Sequence, residues 1–92
     1  MKYVYLLQSL SHPEQRYVGL TSDPEMRLAA HNAGQSLHTA KFRPWKLVTC
    51  LTFTDDEKAV TFEKYLKSGS GRAFASKRFW SPSYGGLSTS KI

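Results

Sequence analysis

Two β-forming runs set close together at the start of the chain constrain its fold more than any other feature. Residues 2–8 read Lys-Tyr-Val-Tyr-Leu-Leu-Gln, and residues 16–20 read Arg-Tyr-Val-Gly-Leu. Aromatic and branched residues of this kind fit a pleated, half-buried surface. The segment between them, residues 9–15, holds Ser, His, Pro and Glu, which is loop chemistry. So short a connection joins antiparallel strands, because a parallel pair needs a crossover of a dozen residues or more. Tyr3 and Tyr5 then share one face of the first strand. Tyr17 lies in the partner strand beside Gly19, whose missing side chain leaves room for close approach by backbone or ligand. Cross-strand aromatic packing is the ordinary use of such tyrosines.

The next segment, Thr21 to Glu25, marks a helix start. Asp23 is the expected N-cap, Pro24 suits the first helical position, and Glu25 suits the positive end of the helix dipole. Met26, Ala29, Ala30 and Ala33 recur at helical spacing and form the expected apolar stripe, with Gly34 as the stop. Arg27 and His31, four apart, share a face. Residues 35–45 read as a polar connection ending in Phe42-Arg43-Pro44-Trp45, and residues 46–53 as a third strand. Thr54 to Glu57 has the form of a capping box with Thr54 as cap. The helix after it is expected to run to about Ser68, burying Ala59, Phe62 and Leu66, and to end at Gly69. A further helical stretch is expected at residues 72–79, followed by a mobile Gly/Ser-rich tail over residues 81–92. The order ββαβα(α) predicts an α/β protein of the α+β kind, one small sheet covered by helices, with residues 1–80 as its single domain.

Composition narrows the function. The one cysteine, Cys50, permits neither an internal disulfide nor a zinc cluster. No apolar run approaches the ~18 residues a membrane span requires. The apolar start of the chain is too short for a signal peptide, so a cytoplasmic protein without membrane contact is expected. Thirteen Lys and Arg against seven Asp and Glu give a net charge of +6. The last acid is Glu63; Lys64, Lys67, Arg72, Lys77, Arg78 and Lys91 follow without a compensating carboxylate. Such an excess points to a polyanionic partner, with a solubilising surface as the plainer alternative.

Six of the seven acids are explained by capping, dipole or solvent exposure. Glu63 is the exception, lying inside the last long helix beside the core position Phe62. It either pairs with Lys67 across one helical turn or holds a metal against the sheet. One carboxylate is a poor trap for calcium or zinc. It suffices for magnesium, which keeps most of its waters and takes phosphate oxygens from a substrate. Arg27 with His31 suits an anionic substrate, since Arg clamps phosphate with two parallel hydrogen bonds. His12, before a Pro, and His38, in the long connection, are expected to be solvent residues, though His38 could still touch substrate. Residues 38–46 interleave Lys41, Arg43 and Lys46 with Phe42 and Trp45, a pattern that fits nucleic-acid stacking or an edge loop packing its aromatics inward. Dinucleotide, Walker-type and nucleophile-elbow motifs are missing.

Taken together, Tyr3-Val4-Tyr5, Tyr17-Val18-Gly19, Arg27, His31 and Glu63 resemble the signature of the GIY-YIG nuclease superfamily in order and spacing. The match covers about residues 1–80 and is similar to stand-alone bacterial members related to the N-terminal nuclease domain of the excision-repair machinery. The resemblance implies a three-stranded antiparallel sheet flanked by helices, and an endonuclease cutting DNA phosphodiesters with one divalent metal. Glu63 would hold Mg²⁺ or Mn²⁺, and Arg27 would stabilise charge on the scissile phosphate. Tyr5 or Tyr17 would position or deprotonate the attacking water, with His31 as partner or alternative base. Lys64, Lys67, Arg72 and Lys77, together with Lys41, Arg43 and Lys46, would contact DNA, branched or damaged, and a protein partner could supply specificity. The chain departs from the family pattern in having Tyr3 for the first glycine, Leu20 where repair members carry Lys, and no Asn beyond Glu63. These departures imply either weak catalysis or a missing contact that Lys77, in that last stretch, could supply. A non-catalytic nucleic-acid-binding module and a protein–protein adaptor are the alternatives from other classes.

Overall fold

The structure, a computed structural model, describes residues 1–80. In chain order the elements are β1 (Lys2–Ser9), β2 (Arg16–Thr21), α1 (Pro24–Asn32), α2 (Leu37–Ala40), β3 (Trp45–Phe53), α3 (Asp56–Leu66) and α4 (Gly69–Arg78). The strands form one sheet in the order β2-β1-β3, with both pairings antiparallel. The expected three-stranded antiparallel sheet flanked by helices, in the order ββαβα(α), is therefore present. The tail expected over residues 81–92 lies outside the described residues. Among the described residues no helix is long and apolar enough to cross a membrane.

The central strand β1 is buried on both faces, as a covered strand must be. Its alternation divides the core in two. Val4 and Leu6 point toward Ala59, Leu66 and Ala75 beneath α3 and α4. Tyr5 and Leu7 point the other way, toward Trp45, with Leu28 and Phe42 packed alongside. The site is built on this second face.

Local signals set most helix ends. Asp23 caps α1 as expected, accepting the Met26 N–H at 3.1 Å, with Pro24 behind it. The apolar stripe, however, is not the one that spacing suggested: Met26 is 66% exposed, and Ala29 and Ala33 also face solvent. Leu28 and the buried His31 face the sheet instead. Short alanines offer little area to bury, and the polar ring finds partners there that a methionine could not use. At α3 the cap is Asp55 rather than Thr54, with the Asp55 carboxylate accepting from the N–H groups of Glu57 and Lys58. Gly69 opens α4 rather than closing α3; Ser68 caps it by accepting the Gly71 N–H at 3.2 Å.

The connection read as polar contains α2, and its aromatics pack inward. Asn32 clamps Trp45 by both backbone groups, accepting its N–H at 2.6 Å and donating to its carbonyl at 3.0 Å. The Trp45 indole N–H donates to the Thr39 carbonyl at 2.9 Å. Phe42 meets Trp45 edge-on at 6.5 Å between centroids. The rings of residues 38–46 thus belong to the core, and the stacking use of that stretch gives way to inward packing.

Gly71 lies against the backbone carbonyl of Tyr65, where a β-carbon would overlap it. Backbone cannot step aside as a side chain can. Gly71→Ala is therefore expected to pry α4 from α3 and cost about 2 kcal/mol, read as a lower urea midpoint. An unchanged midpoint would show that the α3–α4 turn yields freely.

Candidate active site

The site begins with a ring lying across a glycine. Tyr5 of β1 pairs with Gly19 of β2, and a β-carbon at Gly19 would overlap the Tyr5 ring and hydroxyl. The phenol is only 1% exposed, so its hydroxyl needs partners within the protein. His31 Nε2 lies 3.1 Å from it. On the other side of the imidazole, Nδ1 lies 2.8 Å from Thr39 Oγ1, and the Thr39 hydroxyl donates to the Ser36 carbonyl at 3.5 Å. A hydroxyl has one proton to give. With that proton on the Ser36 carbonyl, Thr39 accepts from Nδ1–H, Nε2 carries the lone pair, and Tyr5 donates to it.

Charge keeps this order in place. Burial, and then the nearby Arg27 charge, hold His31 below the usual histidine range, so the imidazole is neutral at pH 7. Burial pushes the Tyr5 phenol up, against a smaller opposing pull from Arg27, so it stays protonated. The Arg27 guanidinium beside these phenols is held all the more firmly protonated, its pKa raised first by Tyr5 and then by Tyr17. Tyr17 completes the cluster, its ring 4.8 Å from that of His31 and 6.1 Å from that of Tyr5. Arg27 is exposed, whereas His31 is 2% exposed and Tyr5 fully covered. The pairing of Arg27 and His31 as joint anion contacts is therefore corrected: only the arginine faces solvent, because the imidazole fills the space beneath Tyr5 and Tyr17.

Glu63 lies apart from these four. It sits on α3, which packs on the opposite face of the sheet, and its largely covered carboxylate meets Lys67 Nζ at 2.5 Å one turn on. The Glu63–Lys67 pairing foreseen from spacing is present. Phe62 leans toward β3, its ring 5.5 Å from that of Phe53. Glu63 is one residue, or about 100°, further round the helix from Phe62. What links the two faces is a groove of about 610 Å³ that follows the edge strand β2. Tyr17 and His38 line it together with Lys67 and Arg72, so Tyr17 and the partner of Glu63 border one space.

Among the described residues no three His, Cys, Asp or Glu side chains come together as a metal cage. Glu63 supplies one largely covered carboxylate, which fits a hydrated ion that takes its remaining ligands from phosphate. Of the predicted DNA contacts, Lys67 and Arg72 line the groove. Lys64, Lys77, Lys41, Arg43 and Lys46 are exposed but do not line it, and the Lys41 ammonium rests 5.5 Å over its neighbour Phe42. Sequence reasoning missed Thr39, which reads as a loop residue, and Arg16 with Trp80, which meet only in the fold. The spacing of Arg72, Ser76 and Trp80, four residues apart, was the available sign of a shared helix side.

With this geometry in place, four likenesses bear on it. Residues 1–77 match the family model described as the GIY-YIG catalytic domain. The chain is 39% identical over 72 residues to the structure-specific endonuclease subunit SLX1 of Debaryomyces hansenii. It is 43% identical over 67 residues to that of Scheffersomyces stipitis. These alignments span 70% and 65% of this chain but only 20% of each fungal protein, so the chain spans about a fifth of the length of those relatives. A UPF0213 protein of Bacillus halodurans, solved by NMR, superposes with a TM-score of 0.53 at 27% identity, covering 98% of this chain and 100% of that one.

A histidine held neutral by the fold makes stability depend on pH. Its folded pKa is depressed, so below the unfolded value of ~6.5 the unfolded chain binds a proton that the folded chain refuses. The unfolding free energy is expected to fall as pH drops from 7 to 5, and His31→Gln to flatten that slope. Urea melts at the two pH values measure it, and equal slopes in both proteins would show that His31 is not the group responsible.

Proposed function

The chain belongs to the family of GIY-YIG catalytic domains, and from that premise we propose that it is an endonuclease hydrolysing DNA phosphodiester bonds with a divalent metal. The observation that carries this reading is the covered Tyr5–His31–Thr39 chain, with Arg27 and Tyr17 at its solvent end beside a basic groove. A merely structural aromatic cluster has no need of a guanidinium beside its phenols. The names of the fungal relatives support a structure-specific DNA substrate, and their description as a subunit supports a protein partner. The exposed free thiol of Cys50 suits a reducing compartment such as the cytoplasm.

Each side chain takes a role that its setting allows. Arg27 has five N–H donors, so it can hold both phenols and still present donors to a phosphate, where charge builds in the transition state. Tyr17 reaches the groove and orients the attacking water. Tyr5 cannot face that water directly; its place is the link between Tyr17, whose ring lies 6.1 Å from its own, and His31. The neutral Nε2 lone pair gives a proton leaving the water somewhere to go. Thr39 is a positioning residue that keeps this lone pair turned toward Tyr5. Glu63 would hold Mg²⁺ or Mn²⁺ once Lys67 yields, and the ion, when bound, polarises the phosphoryl group and screens the leaving oxygen.

Plasmid and branched DNA incubated with Mg²⁺ or Mn²⁺ test the reading. Wild type is expected to nick, and Glu63→Ala, Arg27→Lys and Tyr17→Phe each to lose about a hundredfold or more. Thr39→Val is expected to slow nicking and alter its acid limb while DNA binding persists. Wild type that never nicks, or Glu63→Ala that nicks at the normal rate, would leave only a DNA-binding module on this fold.

A further inference from the structure

We infer that the groove along β2 receives unpaired nucleotides adjoining the bond to be cut, stacking a base on Trp80 while Arg16, Lys67 and Arg72 hold phosphates. The inference rests on the reading of the Tyr17 end as the cleavage site and adds the class of substrate it selects. Three cations and a single acid, Glu14, line the groove. Its volume of about 610 Å³ lies within the range of pockets that take a drug-sized ligand, on the order of one or two nucleotides and not a duplex.

The far wall is regular. Arg72, Ser76 and Trp80 recur every four residues along α4 and its end, about 6 Å per step on one side of a helix. A cation, a hydroxyl and an aromatic surface thus stand in a row opposite β2. In the free protein Trp80 packs against the core and the Arg16 guanidinium lies over its ring, 5.1 Å from the centroid, so a base would stack there by taking the place of the guanidinium, which turns to a phosphate. Stacking on an aromatic ring requires a base whose own face is free. Bases inside a duplex are covered above and below by their neighbours, whereas unpaired bases are not. Stacking tolerates any base, so this groove would choose the form of the DNA and not its sequence.

Binding is measured in EDTA, where no cleavage is needed. The probes are a duplex with a single-stranded oligothymidine tail and a blunt duplex of equal charge. Wild type is expected to hold the tailed DNA roughly tenfold tighter, with quenching of tryptophan emission. Trp80→Leu should lose both the quenching and the preference, and Trp80→Tyr should restore the preference. Arg72→Glu should weaken tail binding and reduce its salt slope by about one. Equal binding of the two DNAs by wild type, or a preference that survives Trp80→Leu, overturns the inference. Plasmid nicking without a tail preference sinks the groove alone, while a tail preference without nicking sinks the cleavage reading alone.

Discussion

The site depends on one burial problem: a phenol placed on the central strand, sealed from water, with a polar hydroxyl at its tip. An unpaired hydroxyl in such a place is destabilising by roughly 1–3 kcal/mol. Gly19 makes the position possible by giving up its side chain, and His31 makes it tolerable by accepting the hydroxyl's hydrogen bond. The imidazole in turn needs Thr39, and Thr39 is fixed by the short helix α2. Every partner in this chain of needs is therefore held in a single orientation. Arg27 and Tyr17, at its outer end, inherit that rigidity.

The edge strand β2 gives the molecule its second constraint. Unpaired strand edges usually invite aggregation and are kept short or charged. Here the edge is six residues long, begins with Arg16, and is flanked by a basic groove. The tyrosine cluster and the helix that carries Glu63 pack on opposite faces of the sheet, so a bound backbone would have to pass its β2 edge to meet both. The Glu63–Lys67 pair closes the carboxylate in the free protein. A partly exposed pair of this kind contributes little net energy, so a phosphate on Lys67 and a cation on Glu63 can separate it at small cost.

Local rules made much of this legible. The hairpin, the cap of α1 by Asp23 and the pairing of Glu63 with Lys67 follow from neighbours within a few residues. Misreadings arose where two local signals competed. Thr54 and Asp55 are both good caps, and the backbone used the second. Gly69 looked like a stop, yet Ser68 before it supplied a new start. Spacing alone favoured the alanines and Met26 of α1, because it could not know that a histidine had partners waiting beneath the sheet. Four of the five residues singled out for chemistry do meet, while Arg16, Thr39 and Trp80 escaped notice because their partners are distant in sequence.

By itself the sequence determined the element order, the antiparallel hairpin, the basic balance and the family signature, because periodicity, capping and charge are written in adjacent residues. Only the tertiary structure decided which tyrosine is sealed and which meets solvent, that His31 is neutral, and that the helix carrying Glu63 packs on the opposite face of the sheet from the tyrosine cluster. Those outcomes depend on which side chains are removed from water together, and burial is a property of the assembled sheet and helices that no single stretch of chain contains.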